Sequence, residues 1–371
     1  MNQYRQIITS FYCLVMAAIC PLAIAAGIDV KNALVIVETD AGAGTGFIAT
    51  LNGTKYIISN RHLLEGARQY SFKTASGTVL QPLRLEIAKD RDVARITIKD
   101  LNSEGLVVDD SNVAIGQRIV VYGNSMGESV ITETTGDIIG VGPSTLEVSA
   151  LFVAGNSGSP IIDARNNVVG VATYMVQSDK DEFILDTRYE KPRRYATRIP
   201  YDAEDIWIPV STRMLYEQST TLDDIETLFL HFYFLQPLMV TEKTRTTERV
   251  YSKLFEIRET KWNQIGYKPE ARTYFHADKW YLLLKRLCDA HDTATASLYE
   301  RARARRSFQV TTSLNDLQRC LKSVSSEPRQ VLKSTSWLPP YAGRVDALLD
   351  MIPIIEGKAK IVSEHFGSKW N

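Results

Sequence analysis

Net charge is the first thing this chain lacks. Its 371 residues carry 43 basic and 43 acidic side chains, which cancel. No global pull towards nucleic acid or an anionic membrane surface follows, so neither is expected as a partner. Histidine is scarce, at 5, and only His62 lies in the first half. Cysteine is scarcer still, at 4. There is no internal repeat and no low-complexity tract, and 44% hydrophobic with 23% charged residues shows no bias towards disorder. The glycines of "AGAGTGF" (41–47) lack the G-x-G-x-x-G spacing and precede a strand-like run, which argues against a dinucleotide cradle. No cofactor is expected.

The beginning of the chain stands apart. Arg5 supplies a positive start, an apolar stretch runs from Phe11 to Ile19, Pro21 interrupts it, and Ala23–Ala25 offers a small–x–small cleavage pattern. A signal peptide over residues 1–25 is expected, with the mature chain exported to the periplasm or secreted. An uncleaved anchor is the alternative, and Pro21 with the alanine-rich end argues against it. No stable membrane anchor is therefore expected after cleavage.

Cys13 and Cys20 leave with that leader, so Cys288 and Cys320 remain. In an exported chain two cysteines read as one disulfide, worth about 3–4 kcal/mol in the chain-entropy account. Two buried thiols are the other option. Cys288 and His291 have C-x-x-H spacing, yet no second such pair exists, so no metal site is expected.

Two grammars divide the rest. From Ala33 to about Pro200, "ALVIVET", "GFIAT", "KYIIS", "VARITI", "RIVVYG", "TLEVS" and "NVVGVATYMV" are β-rich runs parted by turn residues. Asn52–Gly53 predicts a hairpin. "QSDKDEFILDTRYEKPRR" reads as an exposed loop or hairpin, and "RYATRIP" as a last strand. Many short strands imply a barrel or sandwich. After about Asp205 apolar residues recur at helical spacing, with Pro237 expected to close the first helix and Ser313 to cap the third. The expectation is a β domain over 26–205 and an α-helical domain over 206–371. The basic run "ERARARR" (300–306) reads as a solvated helix end.

"AGNSGSP" (154–160) places Ser157 in a tight turn. A serine hydroxyl needs a base to become a nucleophile. His62, in "SNRHLLEG", follows a strand-like run and is the β half's one imidazole. A carboxylate must hold that ring, and "KDRDVARITI" offers Asp92 at a strand entry, with Asp90 as fallback. An α/β-hydrolase elbow is excluded, because Ser159 replaces the last glycine of G-x-S-x-G and β-like sequence follows Pro160.

Together "GTGFIAT", "SNRHLLEG", "RDVARI", "GNSGSP" and "VVGVATY" resemble the trypsin-like peptidases of the chymotrypsin fold, HtrA-type bacterial branches among them. The resemblance covers residues 33–200. It implies a chymotrypsin-like double β-barrel, with His62 as general base, Asp92 as its orienter and Ser157 as nucleophile. It implies an oxyanion hole from the N–H groups of Gly155 and Ser157. Thr173, Tyr174 and Met175 would form the strand edge that pairs with a protein or peptide substrate. Leu151 and Phe152, with Val153, would line an apolar primary pocket suited to aliphatic residues. Ser159 departs from the family's usual glycine. Asn156 stands in place of an aspartate, which argues against activation by N-terminal clipping. A helical tail replaces the PDZ module of HtrA-type chains. Its expected roles are substrate recruitment, docking of a protein partner or restraint of the active site. The rival reading is a protease fold used for binding, with catalysis silent or latent.

Overall fold

The computed structural model describes residues 29–99, 103–176, 192–239, 274–304 and 310–368. The expected leader, residues 177–191 of the expected loop or hairpin, and the end of the basic run lie outside them.

The apolar runs become strands where turn residues release them. Asn52 and Gly53 take φ of 48° and 78°, which a two-residue hairpin turn demands, and Leu51 faces Thr54 across it. This joins β2 (Gly42–Leu51) to β3 (Thr54–Ser59). β1 (Leu34–Thr39) pairs with β2 on one side and β4 (Tyr70–Thr74) on the other, and β5 (Val79–Leu80) extends β4. On the far side β3 pairs with β7 (Ala94–Ile98), β7 with β6 (Pro82–Ala88), and β6 with β15 (Trp207–Val210).

The second set closes on itself. β9 (Arg118–Asn124), β10 (Ile131–Val141), β11 (Thr145–Val148), β14 (Arg193–Thr197), β13 (Asn167–Val176) and β12 (Pro160–Asp163) pair in that order, and β12 returns to β9. Closure leaves no free edge around the ring. The short β8 (Leu106–Val108) runs parallel to both β2 and β13, so the two barrels share one 15-stranded sheet.

Four long helices follow: α1 (Thr212–Met239), α2 (Asp278–Ala304), α3 (Val310–Ser334) and α4 (Ala342–Ser368). Asp224 of α1 accepts the N–H groups of His276 (2.7 Å) and Ala277 (2.9 Å), capping the entry to α2. Among the described residues, no helix is long and apolar enough to cross a membrane.

Several expectations are corrected. Pro237 lies two residues inside the described end of α1, which runs to Met239. Ser313 does not cap α3, which starts at Val310 and turns Ser313 inward. The β half reaches Val210, beyond the expected Asp205, because β15 has a partner waiting in β6. Cys288 and Cys320 are thiols rather than a bridge. Cys288 is buried in the core, whereas Cys320 lines an open groove between α2 and α3 with Arg286 and Asp316, so the sulfurs serve different surroundings.

The halves are β then α, as expected, but their interiors merge. The second barrel has its own core around Ile119, Val121, Ile138, Leu146 and Ile161. The first barrel does not: Leu34, Phe47, Ile57 and Ile87 belong to one buried cluster with Leu215, Phe229, Tyr341 and Leu348 of the helical segment. Apolar area shared across the boundary ties the stability of the two together.

Candidate active site

The site lies where the first barrel's β3–β4 turn meets the turn before β12. His62 opens the turn after β3, and its Nδ1 stands 2.6 Å from Asp92 Oδ2. Asp92 Oδ1 accepts the backbone N–H of the same histidine at 2.9 Å. One carboxylate thus fixes both ring and main chain, leaving Nε2 as the outward nitrogen. Burial works against the charged ring, but the hydrogen bond and charge of Asp92, with Glu65, outweigh it and raise the His62 pKa above 6.5. Burial likewise works against the Asp92 carboxylate, and the His62 hydrogen bond and charge, with Arg61, overcome it and lower its pKa. Asp90, the fallback, turns away to pair with Arg91 at 2.8 Å.

Ser157 sits on the facing turn. Its carbonyl accepts Thr45 N–H at 2.8 Å, which anchors the Ser157 loop of the second barrel to β2 of the first. Thr45 is fully buried, and its hydroxyl donates to the Gly155 carbonyl (2.9 Å) while accepting Asn124 N–H (2.9 Å). The Ser157 hydroxyl makes a long contact of 3.5 Å with the Thr173 carbonyl rather than with the His62 ring. Asn60 completes the circuit: its amide donates to the Asp92 carbonyl at 2.8 Å and to Thr173 Oγ1 at 3.2 Å. Asn60 thus links the main chain of Asp92 to Thr173, whose carbonyl meets the Ser157 hydroxyl.

The turn before Ser157 is shaped by Gly155, at φ 85°. A Cβ there would collide with the Asn124 carbonyl and stand 2.5 Å from Gly127 N, so only glycine fits. Asn156 N–H closes the turn onto Val153 O at 3.1 Å, and Asn156 Oδ1 accepts Val153 N–H and the Ser125 hydroxyl, both at 3.0 Å. The amide oxygen of buried Asn156 is thus satisfied by its own loop and by the turn after β9. Among the described residues, the N–H groups of Gly155 and Ser157 form no hydrogen bond. Ser159 is accommodated because Gly123 faces it: a Cβ on Gly123 would fill the space its hydroxyl occupies.

The expected substrate contacts divide. Tyr174 and Met175 are exposed on the strand edge beyond the β12 pairing, and Leu151 is exposed near the turn before Ser157. Thr173 is instead buried, with its hydroxyl bonded to Thr197 and Val171. The register of β13 against β14 shifts at this residue, and its side chain links site elements. Phe152 is not a pocket wall: it is buried in the second barrel's core, and its carbonyl accepts Arg194 Nε at 2.8 Å. The sequence reading missed Asn60 and Thr45. Their only signal was a polar residue inside an otherwise apolar strand or beside the histidine.

Residues 44–171 match the family model described as a trypsin-like peptidase domain. The serine protease Do-like HtrA of Bacillus subtilis is 27% identical over 164 residues, 40% of this chain and 36% of that protein. A probable periplasmic serine endoprotease, DegP-like, of Brucella suis is 28% identical over 146 residues, 37% of this chain and 28% of its own. The chain thus spans about a third of the length of these curated relatives. A serine endoprotease structure from Yersinia pestis superposes with a TM-score of 0.38 at 21% identity, covering 46% of this chain and 59% of that one. The β-rich half of this chain carries a trypsin-like peptidase domain.

Proposed function

We propose that the protein is a serine endopeptidase that hydrolyses peptide bonds through His62, Asp92 and Ser157. The observation that carries this reading is the double hold of Asp92 on His62 beside a serine turn whose two N–H groups stand unengaged. The Ser157 hydroxyl leaves the weak Thr173 contact, passes its proton to His62 Nε2 and attacks the scissile carbonyl carbon. The Gly155 and Ser157 N–H groups receive the developing oxyanion, each such donor being worth about 3–4 kcal/mol in the transition state. His62 then gives its proton to the leaving amine, and an acyl-enzyme on Ser157 remains. Water, deprotonated by the same ring, releases the acid and restores the hydroxyl.

The substrate is a protein or peptide laid as an extra strand against residues 173–176, with Tyr174 and Met175 beside its side chains. With Phe152 withdrawn into the core, Leu151 supplies the apolar contact near the cleaved bond. Export to the periplasm is part of the proposal, on the strength of the leader and of the Brucella relative, which is named periplasmic. Reaction with a fluorophosphonate probe tests the reading. Modification is expected at Ser157 and nowhere else, and is lost in Ser157→Ala; an unmodified Ser157 in folded protein overturns it.

A further inference from the structure

The turn that carries His62 is held from behind by the helices. Gly66 N–H donates to Ser219 Oγ of α1 at 3.0 Å, and Ser219 is itself buried. The Arg68 guanidinium lies 4.9 Å from the centre of the Tyr216 ring, one turn earlier on α1. The Arg61 guanidinium lies 5.9 Å from the centre of the Tyr341 ring, which is buried in the turn (Pro339–Tyr341) before α4. Gln218 ties these two pieces together, accepting Leu338 N–H at 2.8 Å and donating to Ser336 O at 2.9 Å.

Arg61 has the central place. Its Nε pairs with Glu65 at 2.8 Å across the His62 turn, and its Nη1 donates to the Arg91 carbonyl at 3.2 Å, one residue before Asp92. The side chain stacked on Tyr341 therefore reaches the segments that present both His62 and Asp92. The groups facing His62 are Asp92 from the β6–β7 turn and Arg61 and Glu65 from its own turn, with Tyr341 packed behind. Burial, then the Glu65 charge, pushes the Tyr341 hydroxyl pKa up, so that hydroxyl stays neutral beside the carboxylate. Turns of this kind are where local opening is cheapest, and each anchor from a packed helix raises that cost.

We propose that Ser219 and Tyr341 are positioning residues of the active site: the helical segment clamps the 61–68 turn, so that His62 stays in register with Asp92. The proposal rests on the peptidase reading and gives the helices a part in it. They are a fixed wall of the catalytic centre, and peptide hydrolysis by the β half needs them docked.

The test compares Ser219→Ala, Ser219→Thr and Tyr341→Leu with the unaltered full chain, each first shown to be folded by circular dichroism. Hydrogen exchange across 60–68 and the low-field Nδ1–H resonance of His62 are measured alongside the rate of Ser157 labelling. Loss of one hydrogen bond in Ser219→Ala should speed Gly66 amide exchange and slow labelling by about fivefold each, with Ser219→Thr restoring both. Tyr341→Leu should weaken the low-field resonance while exchange in β9–β14 stays unchanged. Unchanged exchange across 60–68 overturns the proposal. So does faster exchange with labelling and resonance unaltered, which would make the contact structural only. Should the unaltered protein fail to label, the peptidase reading fails separately, and loss or persistence of the resonance in Ser219→Ala still supports or overturns the clamp.

Discussion

Asp92 grips His62 at two points, Oδ2 to the ring Nδ1 at 2.6 Å and Oδ1 to the backbone N–H at 2.9 Å. Asp92→Asn keeps the shape but can present an N–H where the ring needs an acceptor, favouring the wrong tautomer. Peptidase kcat is expected to fall by about ten-thousandfold, with KM little changed, by steady-state kinetics.

The same pair sets the pH dependence. Catalysis requires the neutral ring, so kcat/KM should rise with pH through a midpoint above 6.5, where Asp92 and Glu65 hold His62. Removing the Asp92 charge leaves burial dominant, so the midpoint should move down in Asp92→Asn. For stability, the raised His62 contributes fully below its ordinary 6.5 and loses this as pH rises through its folded value. The lowered Asp92 contributes above its ordinary 3.8 and loses this as pH falls through its folded value. Thermal melts should therefore show both contributions between those ordinary values.

Thr45 joins the barrels at the Ser157 loop. Thr45→Val preserves volume but leaves Gly155 O and Asn124 N–H without their partner. A loss of about 1–3 kcal/mol is expected in chemical denaturation, with slower labelling of Ser157.

Gly123 and Ser159 share one space. Gly123→Ala should destabilise strongly, because its methyl meets the Ser159 hydroxyl and stands 2.7 Å from Asn156 Nδ2. The double variant Gly123→Ala/Ser159→Gly should recover part of the loss, giving a coupling of about 1–3 kcal/mol in a double-mutant cycle.

Arg95 is buried between Glu86 (3.0 Å) and Glu204 (2.9 Å), with the Tyr56 and Trp207 rings on its guanidinium. Arg95→Met removes the buried partner of Glu86 and leaves its carboxylate with the exposed Arg84, at 3.0 Å on the other oxygen. Unfolding free energy should drop by about 3–5 kcal/mol in urea titration.

The barrels and the candidate site's position were legible because each signal is local: alternating β-branched runs, the Asn52–Gly53 turn, one histidine at a strand end, one serine in a glycine turn. Asp92 was distinguished from Asp90 by its place against the strand. What escaped depends on neighbours remote in the chain. Phe152 was expected to line a pocket, but its side chain packs into the second barrel's core. The thiols of Cys288 and Cys320 shared helical stripes yet entered different surroundings. The contact of Ser219 with Gly66 spans 153 residues, a separation that no motif encodes.

The account turns on Ser157 attacking while His62 takes its proton. A crystal structure of the protein after phosphonate treatment tests this directly. The account predicts phosphorus bonded to Ser157 Oγ, its oxygen about 2.7–3.1 Å from the N–H groups of Gly155 and Ser157, and His62 Nε2 within hydrogen-bond reach. An adduct elsewhere, or one on Ser157 with its oxygen turned away from both N–H groups, would contradict it.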